Sequence, residues 1–269
     1  MKIKVAVSGA LGRMGREVVK AVVQAPDMEL VGGVDPAAGG LGETTDIGAA
    51  VGMGKLDAAL VTEISDLHPL PDVLVDFTEP GSAMKNVMYA LEHGMHVVVG
   101  TTGLSQEDLR QTEQAAKAAG RGVVVAPNFA IGAVLMMHFA AKAARFFPQV
   151  EIIELHHDRK KDAPSGTAIK TAEMIHAAGK PSSAVPVEAT VETVPGARGA
   201  EMAGIHINSV RLPGLIAHQE VIFGLPGQTL TIRHDSMSRE SFMPGVLLAV
   251  REVVKTKGLV YGLENLLDL

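Results

Sequence analysis

Met1-Lys2-Ile3-Lys4-Val5-Ala6-Val7-Ser8-Gly9-Ala10-Leu11-Gly12-Arg13-Met14-Gly15 opens the chain. Ile3 to Val7 is a short run rich in β-branched residues, and it reads as a strand. The G-x-x-G-x-x-G run that follows leads into a helical pattern, Met14 to Gln24. Glycines in that place permit a tight turn and let the backbone approach a pyrophosphate, while the helix start offers oriented N–H groups and partial positive charge. The next apolar run, Leu30 to Val34, ends on Asp35, about 20 residues after the last glycine, where a carboxylate can accept hydrogen bonds from an adenosine ribose.

The same alternation continues outward. Strands are predicted at Val73 to Phe77, Val97 to Val99 and Val123 to Val125, and helices at Ala83 to Glu92 and Gln106 to Ala119. Strands separated by helices imply a parallel sheet with crossovers. Their continuous apolarity fits a sheet covered on both faces. Residues 36 to 70 are the least regular part. Gly100-Thr101-Thr102-Gly103 and Ala126-Pro127-Asn128-Phe129 follow two of these strands, on the edge where open α/β sheets bind ligands.

The pattern changes after about Asn128. A helix, Ala133 to Phe146, precedes the strand Val150 to Leu155, a polar loop and a helix from about Pro164. Strands at Gly204 to Leu212, His218 to Gly224 and Thr229 to His234 follow, the last two joined by the turn signal Leu225-Pro226-Gly227. This half reads as a mostly antiparallel, mixed sheet with helices on one face. The C-terminal stretch Gly245 to Lys255 returns to helix. The Pro/Ser/Gly-rich stretch from Gly179 to Gly199 is expected to be a loop near an oligomer interface or a lid.

Bulk composition narrows the chemistry. With no cysteine, disulfides, zinc–thiolate sites, iron–sulfur clusters and a cysteine nucleophile are excluded. A net charge of −6 argues against a general nucleic-acid binder. Aromatics make up only 3%, so aliphatic residues and Met must fill the core. The apolar run at the N-terminus is short and broken by Gly9, unlike an export signal. No stretch reaches the roughly 18 apolar residues of a membrane span, and a cytoplasmic location is expected.

The densest ionisable stretch is Glu154-Leu155-His156-His157-Asp158-Arg159-Lys160-Lys161-Asp162-Ala163-Pro164-Ser165-Gly166-Thr167-Ala168. Pro164 and Ser165 are good helix-start residues, so the N–H groups of Gly166 and Thr167 are left to bind a carboxylate. Lys160 and the histidines can supply positive charge or protons. The local chemistry suits an anionic substrate that needs a proton. Adjacent histidines on an extended strand point to opposite faces and do not chelate together easily, so no metal site is expected.

These residues carry a resemblance. Gly9 to Gly15, Asp76-Phe77-Thr78, Gly100 to Gly103, Asn128-Phe129, Glu154 to Ala168 and Ser238-Arg239 resemble the 4-hydroxy-tetrahydrodipicolinate (dihydrodipicolinate) reductase family over nearly the whole chain. The His-His-x-x-Lys-x-Asp-Ala-Pro-Ser-Gly-Thr-Ala run is the most specific part. The resemblance implies reduction of 4-hydroxy-tetrahydrodipicolinate to tetrahydrodipicolinate in the diaminopimelate route to lysine. It implies an α/β fold: a Rossmann-like, parallel-sheet dinucleotide domain from residues 1–128 and 238–269, and an α+β substrate and oligomerisation domain from 129–237. It also implies a homotetramer.

Carried over position by position, the resemblance makes His156 the proton donor/acceptor and Lys160 a second proton donor. His157, Gly166 and Thr167 become substrate-binding positions, to which the helix-start argument adds Ser165. Gly9, Ala10, Leu11, Gly12, Arg13, Met14, Asp35, Gly100, Thr101, Thr102, Ala126, Pro127, Asn128 and Phe129 become cofactor-binding positions. Some family members have a basic residue directly after the acidic ribose ligand, where this chain has Pro36. NADH is therefore the expected cofactor, with NADPH use open because Arg13 lies nearby. Two other readings stand beside this one: another two-domain NAD-dependent dehydrogenase of a small dicarboxylate, and a non-catalytic nucleotide-sensing regulator. The Ala163 to Thr167 run argues against the first, and the presence of His156 and Lys160 against the second.

Overall fold

A computed structural model describes residues 1–41, 45–179, 191–267 and 269. The chain forms two compact units, one from Met1–Phe129 with Phe242–Leu269 and the other from Ala130–Ser241. Most of the stretch expected to be an interface loop or lid, residues 180–190, lies outside the described residues.

The first unit runs β1 (Ile3–Ser8), α1 (Arg13–Gln24), β2 (Met28–Val34), β3 (Thr45–Asp46), α2 (Ile47–Val51), β4 (Ala59–Val61), β5 (Val73–Asp76), α3 (Pro80–Glu92), β6 (His96–Val99), α4 (Gln106–Ala119) and β7 (Gly122–Val125). The second contributes α5 (Ile131–Ala143), β8 (Gln149–His156), α6 (Gly166–Gly179), β9 (Ala200–Met202), β10 (Ile205–Arg211), β11 (Ala217–Leu225) and β12 (Gln228–Ser236). The chain then returns to the first unit as α7 (Met243–Val253) and β13 (Gly258–Tyr261).

The first unit is built on an 8-stranded sheet of order β13-β7-β6-β5-β1-β2-β4-β3, parallel except where β3 meets β4. Ala6, Leu74, Val97, Val99 and Val123 pack with Ala83, Val87 and Leu91 of α3 and Ala116 of α4. Val5, Val7, Val73, Val75 and Val98 alternate with them, face the other way and are equally buried, and α1 and α7 cover that side. Burial on both faces is why these strands read as unbroken apolar runs. α4 begins with a reciprocal cap: Ser105 Oγ accepts the Asp108 N–H and Asp108 accepts the Ser105 N–H. Arg251 of α7 donates twice to Asp27, tying the returning segment to the loop before β2. The strands β3 and β4 are two and three residues, too short to carry a readable period.

The sheet order reverses between β1 and β5, the position where open α/β sheets bind ligands at their carboxyl edge. Gly9 ends β1 there with φ of +74°, and a Cβ on it would sit 2.6 Å from the Phe77 carbonyl oxygen beyond β5. Gly15 has no room either: its Cβ would lie 2.0 Å from the Gly9 oxygen, so α1 seats directly on the turn. The glycine spacing is a packing requirement of this corner.

The second unit has a 5-stranded sheet, β12-β11-β8-β10-β9. It is mixed, as expected: β10 runs parallel to β8, and the other neighbours are antiparallel. The parallel pair follows from the long connection through α6, since a hairpin cannot join parallel strands. Val150, Ile152 and Glu154 are the buried residues of β8 and share one face. α5 and α6 pack on each other and on the sheet. Glu154 therefore occupies a place in the strand pattern where an apolar residue belongs.

Candidate active site

At the carboxyl edge of the first sheet, the Gly9 and Ala10 N–H groups donate to Val34 O and the Gly12 N–H to Gly9 O. Leu11 N–H donates to Asp35 Oδ2 at 2.9 Å, and Asp35 Oδ1 accepts the Ala37 N–H. Gly12 caps α1 without a side-chain hydrogen bond. Among the described residues, the N–H groups of Arg13, Met14 and Gly15 have no acceptor, so a helix start with three open donors faces out of a turn too tight for any Cβ. That fits a pyrophosphate. Asp35 holds the glycine turn and keeps acceptor capacity for ribose hydroxyls, since a carboxylate has about four lone-pair sites.

A buried carboxylate organises the neighbouring strand ends. Asp76, at the end of β5, accepts from Thr78 N and Oγ1, from Asn86 Nδ2 and from Thr101 Oγ1. Asn86 also donates to Ser8 Oγ at the end of β1. The ends of β1, β5 and β6 are thus linked through Asp76 and Asn86. Thr101 is buried and its hydroxyl is engaged by Asp76, whereas Thr102 is exposed. The Phe77 ring leans on Phe129 at 5.8 Å, and Phe129 is buried beside exposed Pro127.

In the second unit the chemical segment resolves into three parts. His156 ends β8 on the same face as Glu154, and its Nδ1 is hydrogen-bonded to Glu154 Oε2. Arg211, paired with His156 in the register of β10, donates to Glu154 through Nη1 at 2.9 Å and Nη2 at 2.7 Å. Arg211 Nη2 also reaches the Asp162 carbonyl. Glu154 is fully buried. Burial alone would raise its pKa, but the hydrogen bonds from His156 and Arg211 outweigh it and hold it at about 2. An ionised Glu154 can only accept, so His156 Nδ1 carries the proton and Nε2 is left to exchange one.

The loop follows. Lys160 N–H donates to His157 O, and its ammonium lies 2.7 and 2.8 Å from the Asp162 carboxylate. Asp162 engages two of the three donor positions of the ammonium. At the start of α6, buried Ser165 caps the helix by accepting the Ala168 N–H at 3.2 Å, and its own N–H points to Glu154 Oε1 at 3.3 Å. The N–H groups of Gly166 and Thr167 have no acceptor among the described residues. Ser165 caps the helix start, and Gly166 and Thr167 hold the open donors. His157 lies just beyond the strand end, half-buried.

Residues 3–129 match the family described as dihydrodipicolinate reductase, N-terminus, and residues 132–267 match its C-terminus. The chain is 51% identical over 269 residues to a 4-hydroxy-tetrahydrodipicolinate reductase from Moorella thermoacetica, covering 99% of this chain and 98% of that protein. It is 52% identical over 268 residues to one from Listeria welshimeri, covering 99% and 100%. The dipicolinate-bound dihydrodipicolinate reductase from Paenisporosarcina sp. TG-14 superposes with a TM-score of 0.85 at 46% identity, covering 98% of this chain and 99% of that one. This chain belongs to the dihydrodipicolinate reductase family.

Within that family frame, several residues of the site were not singled out in the sequence. Arg211 is one, because only the β8–β10 register brings it to Glu154. Asn86 and Ser8 are others: Asn86 donates to Asp76 across 10 positions of sequence and to Ser8 across 78. Glu154 had a visible signal: a carboxylate in step with Val150 and Ile152 on a buried strand face is costly unless it is paired.

Proposed function

We propose that this chain reduces 4-hydroxy-tetrahydrodipicolinate to tetrahydrodipicolinate, with loss of water, in the diaminopimelate route to lysine. A nicotinamide dinucleotide supplies the hydride for the conjugated ring when bound. The unit built from both ends of the chain is taken to hold the dinucleotide: the open N–H groups at the start of α1 would bind its pyrophosphate and Asp35 its ribose. Gly100, Thr101, Thr102 and the Ala126 to Phe129 edge would meet its nicotinamide end. The unit Ala130–Ser241 is taken to hold the substrate. Gly166 N–H, Thr167 and Lys160 would bind a carboxylate and so orient the ring. His156 Nε2 would protonate the carbon next to the one receiving hydride, with Lys160 as the second proton donor and His157 as a hydrogen-bond partner of the substrate.

The observation that carries this reading is a single buried carboxylate, Glu154, that contacts both the proposed acid, His156, and the first residue of the proposed anion site, Ser165. A proton source and a carboxylate site are what a dicarboxylate substrate with a reducible ring requires. The named relatives, about half identical over their full length, favour this reading over a different dehydrogenase or a regulator. NADH is proposed as the preferred cofactor. Asp35 would repel a 2′-phosphate, Pro36 offers no charge, and Arg16 is engaged by the carbonyls of Leu11 and Ala50. Arg13, exposed and without a partner among the described residues, leaves weaker NADPH use open. A homotetramer in the cytoplasm follows from the family resemblance, and light scattering would test the assembly. The direct test of the activity is to supply the substrate with NADH and follow nicotinamide absorbance. A substrate-dependent fall supports the reading, and its absence with both cofactors removes it.

A further inference from the structure

We propose that Glu154 and Arg211 are positioning residues for this reaction: one buried carboxylate, held by one guanidinium, sets the tautomer of His156 and the placement of the α6 start together. The inference rests on the reductase reading above.

The geometry separates this from an ordinary core ion pair. Buried pairs contribute little net stability compared with apolar residues of similar size. Glu154 stands in the β8 face that Val150 and Ile152 fill with aliphatic side chains, so packing alone does not call for an acid there. Its two oxygens are divided between the two halves of the site. Oε2 accepts from His156 Nδ1 and Arg211 Nη1, and Oε1 accepts from Arg211 Nη2 and the Ser165 N–H. Arg211 reaches one step further, to the carbonyl of Asp162, which fixes the loop between Lys160 and the helix start. A displacement of Glu154 would therefore move the proton donor, the lysine loop and the open N–H groups at once.

β10 brings Arg211 and the neutral Ser209 to the Glu154 carboxylate. β11 brings neutral Gln219 opposite Glu154, and α6 brings neutral Ser165. Glu154 is the acidic side chain bonded to the ring, and replacing it with an amide removes the acceptor-only partner of Nδ1. It also lets either ring nitrogen carry the proton.

The test compares the full-length wild type with Glu154→Gln and with the double variant Glu154→Gln/Arg211→Met, which removes both charges from the core. For Glu154→Gln, kcat should fall about 10- to 100-fold, as when a partner that orients an imidazole is lost. Dipicolinate should bind more weakly, and NADH affinity should stay unchanged. Nitrogen NMR of the His156 ring should show Nδ1–H in the wild type and mixed tautomers in the variant. The double variant should recover thermal stability and stay slow. A double variant that recovers stability and kcat together would make the pair structural only. An unmoved tautomer in Glu154→Gln would also overturn the proposal. The NMR measurement needs no turnover, so a wild type that fails to oxidise NADH with substrate would reject the reductase reading separately.

Discussion

Arg211 lays two guanidinium nitrogens on the Glu154 carboxylate, at 2.7 and 2.9 Å, from a parallel neighbouring strand 57 residues further along the chain. The pair, with His156, holds Glu154 at about 2 against an ordinary value of 4.5. A depressed carboxylate stabilises the fold above its unfolded pKa and loses that contribution as pH falls through the folded one. The contribution is on the order of 3 kcal/mol at about 1.4 kcal/mol per pKa unit. Urea unfolding of the full chain should therefore show stability dropping between about pH 4.5 and 2. Glu154→Gln should show a shallower drop over that window. Parallel curves for the two proteins would mean that Glu154 does not carry the acid sensitivity.

Gly9 is predicted to tolerate no side chain. Its φ of +74° and the 2.6 Å from a Cβ to the Phe77 oxygen leave Gly9→Ala strained by roughly 1–2 kcal/mol from the backbone alone. The turn beneath the α1 start must shift to relieve it. Dinucleotide affinity, read by fluorescence titration, should fall at least about tenfold (about 1.4 kcal/mol). Wild-type affinity in Gly9→Ala would place the dinucleotide elsewhere.

Cofactor choice should turn on the residue after Asp35. Pro36 is exposed and uncharged, so Pro36→Arg would add a guanidinium where a 2′-phosphate would lie, and such charge-assisted bonds are strong. The wild type should show the higher kcat/KM with NADH, and Pro36→Arg should move the ratio toward NADPH by about tenfold or more. A tenfold wild-type advantage for NADPH would contradict the assignment.

Much of this was legible in the sequence because it is local. The β1–glycine–α1 corner, Asp35 at the end of β2 and the Ser165 helix start depend on neighbours in the chain, and the reading of each matches its element within a residue or two. Short strands such as β4, at Ala59–Val61, lack enough residues for a period and were read as irregular. Asn86 and Arg211 were hidden for a different reason: tertiary packing brings Asn86 of α3 to Ser8 and Asp76, and strand register brings Arg211 to Glu154. The family resemblance named the substrate, and the packing added why an acid stands in an apolar strand face.

Lys160 provides a separate test of the loop. Its ammonium sits on Asp162, and together they cover part of the loop before the helix start. Lys160→Ala should lower kcat at least about tenfold and weaken dipicolinate binding, because it removes both a charge and a proton donor. Thermal stability should change little, since Asp162 is exposed and surface pairs are worth about 0–1 kcal/mol. A variant that loses stability and keeps kcat would make the loop a solvated surface feature.

The most direct test of the central claim is kcat for His156→Gln, measured by substrate-dependent NADH oxidation alongside NADH affinity. General acid/base help is worth about 10²–10⁴-fold, so kcat should fall by at least about tenfold while NADH binds as in the wild type. An unchanged kcat would contradict the claim that the Glu154 to Thr167 segment supplies the proton.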